Sequence, residues 1–535
     1  MKHYLVYSIG PVQSFIASAR KTEDLWSGSH LLAELSKQAM RVYAPFVTTW
    51  VQPGSRPKEL SDVADVPNRF SVILEADAKK IIELSKEAEK AIISYLQKIG
   101  ETSLEMLFQS VPLDTFEQMR KEMERLPEIY WAFRPLPSEE SFKDVRGEVE
   151  KNLASVKANR SLHILKQSGL TCKLCSERSA LSAEHPTVEM TYAELMAQQN
   201  RLWSQLREEK NHIVRAGEHL CGVCLTKRMR RTLLRTEFGT QFDSFPSTRE
   251  FTPNHTEHGY YAVLMMDGDN MGQWIQEGKL TGKVDIESQQ ELSQRLGRFA
   301  EQTVRELMAE KQLRIVYAGG DDVMAFGEIT DVLRYATELR RAFGTNEDGL
   351  AHGATASAGI VIAHAKVPLQ SVLQQVRVME KTAKAYEDRH QTKDAIGLSL
   401  MSHSGQIRQT VLPFKLEQDW TTEWVLELSK LLKTGISFTF LQHFAESMKP
   451  LVHELKGEKP FIDHPMVESE LTRLVKRASY KLEPENQRQL VQKLTYMYTT
   501  LPGQFLEFRQ LVEMARFLGE HVEKGVSDAT ATYNG

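Results

Sequence analysis

The chain contains no apolar run approaching the roughly 20 residues needed to span a bilayer. Its opening, Met1-Lys2-His3-Tyr4-Leu5-Val6-Tyr7, lacks the charged, apolar and small-residue regions of a secretion signal and reads as a strand that starts the fold immediately. Cytoplasm is therefore the expected location. Charge of one sign is also missing. Lys and Arg number 67 against 71 Asp and Glu, a formal −4 that gives no whole-chain pull toward nucleic acid or membrane. Any polyanion contact must come from local basic patches. Compositional bias is absent too: 41% hydrophobic and 26% charged residues are those of an ordinary soluble globular protein. At 535 residues the chain is too long for one core, and about three or four domains are expected.

Cysteine is scarce, and its placement is informative. Four cysteines fall as two pairs, Cys172-x2-Cys175 and Cys221-x2-Cys224. In a long chain without a secretion signal disulfides are disfavoured, and two such turns suit a tetrahedral zinc ion. Four thiolates leave no open position, so the site is expected to be structural and to staple a long insertion. A redox role is the rival reading, but no thioredoxin-like strand–helix context surrounds either pair. His219 is expected as a neighbour of the metal rather than a ligand.

Hydrophobic patterning divides the chain into four regions. Residues 1–160 open with an apolar strand and a turn at Gly10-Pro11, and carry a second strand at 69–75 and a helix over 76–99. Residues 161–250 hold the cysteine pairs on helical sequence, and a polar segment from Ser244 to Gly259 reads as a linker. Residues 255–410 alternate strands and helices. The run 260–266 suits a buried central strand, and a helix follows with Leu292, Leu296, Phe299 and Leu307 on one face. A hairpin spans 315–326, with Gly319-Gly320 supplying positive backbone dihedrals, before helices over 331–343 and 369–386 and strands at 354–364 and 395–401. Residues 415–535 are helical. Strand–helix–hairpin–helix–strand is a ferredoxin-like arrangement, which makes the fold α+β. A weak internal repeat lays Leu5 to Ile16 over Val263 to Trp274, with Gly10 set opposite Asp267; only the second copy has carboxylates at its turn.

Two acidic turns carry the chemistry: Asp267-Gly268-Asp269-Asn270 after the buried strand, and Gly319-Gly320-Asp321-Asp322 at the hairpin tip. A lone turn of either kind is usually only a turn. Two of them on neighbouring strands would bring Asp267 and Asp321 together as hard oxygen ligands for two Mg²⁺ or Mn²⁺ ions bound with a triphosphate. Such a pair of ions serves in-line attack of a 3′-hydroxyl on an α-phosphate. Asp267 and Asp321 would bridge the ions and Asp322 would complete the shell. Gly268, Gly319 and Gly320 leave room for a nucleotide, and Lys381 and Lys384 are candidate triphosphate contacts. Asp269 carries less weight as a ligand, since it can cap the next helix. The basic run Lys227, Arg228, Arg230, Arg231, Arg235 reads as a solvated helix face, or as a contact for RNA or an acidic partner.

These segments resemble a known family. Ile9-Gly10-Pro11-Val12-Gln13-Ser14-Phe15-Ile16 and Asp24-Leu25-Trp26-Ser27-Gly28-Ser29 are similar to the first Palm domain of the large subunit of type III-B (Cmr-type) CRISPR effector complexes. Met266 to Gly272, Tyr317 to Val323 and Thr355 to Ile360 are similar to its second Palm motifs, and the four cysteines to its inter-Palm region. The resemblance implies two ferredoxin-like Palm domains, a zinc-binding helical domain between them and a C-terminal helical domain. It implies a cytoplasmic nucleotidyltransferase that works with other effector subunits, guide RNA and target RNA, and converts ATP to cyclic or linear oligoadenylates. By motif, Asp267, Asp321 and Asp322 are its metal ligands, and the acid-free first Palm binds a second nucleotide near Ser14. Many relatives carry an N-terminal HD nuclease. Here Palm-like sequence starts at Tyr4 and no His-Asp dipeptide occurs, so no DNase activity is expected. Two alternatives stand beside this reading: joining ATP to a different nucleotide-type acceptor, and a non-catalytic scaffold for guide RNA and partner subunits. A diguanylate cyclase fits less well, because Asp322-Val323 stands where that family has Glu-Phe.

Overall fold

In a computed structural model, the structure describes residues 1–54, 66–159, 168–210, 212–215, 217–238, 245–309, 311–387, 392–416, 419–433, 436–437, 439–448, 464–500 and 505–521. The chain separates into two units. The first comprises Met1–Ser247, Asn270–Glu301 and Val316–Gly320; the second comprises Thr248–Asp269, Gln302–Ile315 and Asp321–Gly535. The domain boundary expected near residue 160 lies outside the described residues, as does the start of the expected linker at Ser244.

The first unit begins with β1 (Lys2–Gly10), α1 (Gln13–Ala17), α2 (Thr22–Tyr43), β2 (Val47–Gln52) and β3 (Arg69–Glu75). It continues through α3 (Ala78–Leu107), α4 (Leu113–Arg125), β4 (Glu128–Pro135) and α5 (Phe142–Ala158). β1 is buried along nearly its whole length because its neighbours flank it on both edges; the sheet order is β2-β3-β1-β4. α3 starts where the Asp77 side chain accepts the Lys80 amide N–H at 2.7 Å. It buries Ile81, Leu84, Ala88, Ile92, Leu96 and Ile99, the helical stripe visible in the sequence, and runs two turns past the expected end. α6 (Tyr192–Trp203) and α7 (Gly222–Phe238) follow around the cysteines.

β5 (Tyr260–Gly268) leads to α8 (Met271–Gln276), α9 (Ile286–Arg298), a π-helical turn and α10 (Val304–Glu306). By its contacts α9 groups with the first unit. Its polar face explains this: Gln290 and Gln294, one turn apart, donate to the Trp50 and Gly54 carbonyls at 2.8 and 3.0 Å, and Ser293 accepts the Gly54 N–H at 3.0 Å. Leu292, Leu296 and Phe299 are buried as expected, whereas Leu307 lies past the helical segment and is only partly covered.

β6 (Leu313–Ala318), β7 (Val323–Gly327), α11 (Ile329–Phe343), β8 (Ala356–His364), α12 (Leu369–Lys384), β9 (Ala395–Met401) and β10 (Ile407–Pro413) complete the second sheet. Its order is β10-β9-β8-β5-β7-β6. The segment β8-β5-β7-β6 repeats the order β4-β1-β3-β2 of the first sheet, so both sheets are ferredoxin-like. β9 runs parallel to β8, and β10 pairs antiparallel with β9. α13 (Thr421–Lys433), α14 (Thr439–Met448), α15 (His464–Ala478), α16 (Pro484–Thr500) and α17 (Phe505–His521) form the helical C-terminal part, and Arg408 on β10 pairs with Glu513 on α17 at 2.6 Å.

The internal repeat has a definite register, that of Leu5–Ile16 on Val263–Trp274, and it corrects the pairing of Gly10 with Asp267 by one residue. β1 and β5 each have 9 residues and end at Gly10 and Gly268, so Ile9, not Gly10, occupies the position of Asp267. Ser8 faces Arg69 as Met266 faces Val323. Asn68 therefore stands at the position of Asp322, and its side-chain amide donates to the Ile9 carbonyl at 3.0 Å. The first sheet has Ile9, Asn68 and Pro67 where the second has Asp267, Asp322 and Asp321.

Candidate functional site: a carboxylate-bearing sheet end and a tetrathiolate cluster

Asp267 is the penultimate residue of β5, the central strand that β7 and β8 flank. Register places Met266 opposite Val323, so the next residues along the two strands are Asp267 and Asp322. It is thus Asp322 rather than Asp321 that stands across from Asp267. Asp321 precedes it in the β6–β7 turn, where Gly320 alone takes the left-handed conformation (φ +98°) and Gly319 does not. Burial pushes the Asp321 carboxyl up to about 6. The three carboxylates share one sheet end but stand apart. Among the described residues, the four cysteines form the one group of three or more ligand atoms within 4.8 Å of one another.

Lys384, in the last turn of α12, reaches this sheet end. Its ammonium pairs with the Asp267 carboxylate and donates to the Gly268 carbonyl at 3.2 Å, with Glu380 at 3.9 Å. Burial and the neighbouring Lys393 draw the Lys384 amine down to about 8. Lys381, one turn earlier on the same helix, is exposed. Gly268 is buried, Gly319 is exposed with open space where a Cβ would stand, and Ser14 is exposed on α1 in the first unit.

Asp269 does not cap α8. Its side chain accepts from the Thr355 and Ser357 hydroxyls at 2.9 Å each and from the Asp394 N–H at 3.0 Å. It ties the end of β5 to β8 and to the segment entering β9, a structural task for a buried carboxylate. Asp394 in turn forms an ion pair with Arg340 of α11. Asp269 and its partners were invisible as a site in the sequence because Thr355, Ser357 and Asp394 are 86 or more residues away.

The cysteines converge as expected. Amide N–H groups of Leu174, Glu177 and Cys224 donate to the sulfurs of Cys172, Cys175 and Cys221 at 3.4, 3.5 and 3.4 Å. Four soft donors with N–H···S support, beside the Arg178 guanidinium, fit a closed zinc site. His219 turns away: its Nδ1 meets Gln199 at 2.7 Å and its ring stacks on Trp203. α7 begins inside the second cysteine pair, and this explains the basic run. Lys227, Arg228 and Arg230 are buried rather than solvated. Lys227 donates to the carbonyls of Phe15 (2.6 Å) and Ser18 in the α1 turn. Arg228 grips Asp24, and Arg231 lies 4.5 Å over the Trp26 ring. Only Arg235 is exposed.

A paired set of ferredoxin-like sheets, one ending in carboxylates, defines a palm-type protein. Residues 260–396 match the family described as Cas10/Cmr2, second palm domain, and residues 4–48 match CRISPR-associated protein Cmr2, N-terminal. In these two stretches the chain is similar to the Cas10/Cmr2 family. It is 31% identical over 211 residues to the CRISPR system Cmr subunit Cmr2 of Pyrococcus furiosus, a match covering 34% of this chain and 23% of that relative. The chain thus spans about a quarter or less of the length of the curated relatives it matches. Among solved structures it is similar in fold to a type III-B Cmr-beta complex in its apo state, with a TM-score of 0.66, 14% identity, and coverage of 97% of this chain and 82% of that one. A Csm1–Csm4 cassette in complex with pppApApA aligns with a TM-score of 0.50 at 13% identity, over 96% of this chain and 69% of the other. Among the described residues, no helix is long and apolar enough to cross a membrane.

Proposed function

We propose that this chain is the nucleotide-condensing subunit of a type III CRISPR RNA-guided effector complex, and that it joins ATP units into cyclic or linear oligoadenylates when target RNA binds. The observation that carries the reading is the β5–β7 register, which sets Asp267 and Asp322 at one end of adjacent strands with Asp321 next in the turn. These are hard oxygen donors at the end of a central strand, and burial raises the Asp321 carboxyl to about 6, an uncompensated charge that a cation would relieve. Two Mg²⁺ or Mn²⁺ ions held by Asp267, Asp321 and Asp322 would lower the pKa of the attacking hydroxyl and neutralise the departing pyrophosphate.

The chain's own residues supply positioning. Were Asp267 to hold a divalent cation, the Lys384 ammonium would be free to pair with the triphosphate instead. Gly319 and Gly320 keep side chains out of the turn where the nucleotide's sugar and base approach. The first sheet, with Ile9, Asn68 and Pro67 at the corresponding positions, holds no metal and binds the second nucleotide near Ser14. The tetrathiolate site binds zinc structurally and fixes the start of α7, whose Lys227 holds the α1 turn that carries Ser14.

The test is product analysis. The assembled complex, incubated with ATP and Mn²⁺ or Mg²⁺, is expected to yield oligoadenylates by mass spectrometry when target RNA is present and not otherwise. ATP recovered unchanged in the presence of target RNA, or an ATP adduct with a different acceptor, counts against oligoadenylate synthesis.

A further inference from the structure

Three backbone turns of the first unit converge around a cavity of about 180 Å³ lined by Arg20, Lys21, Lys173, Arg215, Glu218 and Arg228. Two of the three turns hang on one buried ionic cluster. Arg228 lies at its centre, paired with Asp24 and, at 3.0 Å, with Glu218. Asp24 accepts the Arg20 and Lys21 amide N–H groups at 3.0 Å each, which fixes the turn entering α2. Glu218 accepts the Arg215 N–H at 3.2 Å across a turn in which Gly217 has φ +75°. Lys173, inside the first cysteine pair, is held by its N–H on the His219 carbonyl at 3.0 Å.

The charges are unequal. Five cations meet two carboxylates, and both carboxylates are spent on Arg228 and on backbone N–H groups. Lys21 uses its ammonium on the His212 and Ile213 carbonyls. Arg20, Lys173 and Arg215 are exposed, and among the described residues none of them is ion-paired. Three uncompensated cations on hydrogen-bonded turns, around a cavity without an aromatic ring to stack a base, are suited to an anion alone.

We infer that this cavity is a phosphate-binding site, in which Arg20, Lys173 and Arg215 take a phosphate group of a nucleotide's polyphosphate chain or of an RNA backbone. It is built from residues of the first unit alone and needs no divalent cation. The Asp24–Arg228–Glu218 cluster positions the turns that carry Arg20 and Arg215, and the His219 carbonyl holds the backbone of Lys173.

Inorganic tripolyphosphate is the probe, titrated calorimetrically into the full chain with no divalent cation added. Arg20→Glu, Lys173→Glu and Arg215→Glu are each expected to weaken its binding by about tenfold, and the triple variant to abolish it. Alanine versions serve where a reversal lowers the unfolding midpoint. A labelled single-stranded RNA run against the same variants separates the sources. Weakened RNA binding identifies a backbone phosphate; RNA binding left intact beside weakened tripolyphosphate binding identifies a free polyphosphate. The site is overturned if the wild type binds neither probe, or if the triple variant binds both as the wild type does. Asp321→Ala with Asp322→Ala is expected to bind tripolyphosphate normally here, so failure of the palm reading and failure of this one are told apart.

Discussion

Lys384 sets its ammonium against the Asp267 carboxylate and donates to the Gly268 carbonyl at 3.2 Å, so the carboxylate at the end of β5 is already paired with a cation from α12. A divalent ion held by Asp267 would compete with that ammonium, which would then be free for an anionic ligand at the same sheet end. Lys384→Met is expected to raise the KM for ATP about tenfold with a smaller effect on kcat, the signature of lost triphosphate binding. Steady-state kinetics at saturating Mn²⁺ read this directly. An unchanged KM would remove Lys384 from substrate binding.

The four cysteines are expected to hold one zinc ion per chain, measured by elemental analysis of the purified protein. Cys172→Ala or Cys221→Ala should lose the metal and lower the thermal midpoint of the first unit by on the order of 10 °C, because binding free energy of a structural zinc is folding free energy. Metal content left intact in both variants would contradict a four-thiolate site.

Asp24 gives the acid limit of stability. Burial works to raise its carboxyl, but the Arg228 guanidinium and the Arg20 N–H hold it below the ordinary carboxylate value. A depressed folded pKa stabilises above the unfolded value of about 4, and the contribution is lost as pH falls through that value toward the folded one. Thermal midpoints should therefore be insensitive to this group at neutral pH and drop below about pH 4. Asp24→Asn should cost about 3–5 kcal/mol at pH 7, because it leaves a buried guanidinium short of its partner, and should flatten the acid limb. An equal acid limb in the variant would assign it to other groups.

The central strands were the most legible part of the fold. β5 and β8 are buried on both faces, so they read as unbroken apolar runs, and the acids at the end of β5 announce themselves by ending such a run. The cysteine pairs were equally plain, since their spacing carries the geometry. What could not be read was anything decided by residues distant in sequence. The basic run on α7 looked solvated because its partners lie about 200 residues earlier, at Asp24, Phe15 and Ser18. α9 has the stripe of a palm helix, yet its polar face bonds β2, a relation that helical periodicity does not encode. The one-residue error in the repeat arose at Gly10, where matching a glycine turn to an acid ignored that both strands end on glycine.

The central claim is that Asp322, across from Asp267, and Asp321, next to it in the turn, serve nucleotidyl transfer. Its most direct test is the amount of oligoadenylate formed from labelled ATP by the assembled complex with target RNA, wild type against Asp321→Ala with Asp322→Ala. The expected result is a loss of product of more than about a thousandfold with target RNA binding and thermal midpoint unchanged. Undiminished product from the double variant would contradict it.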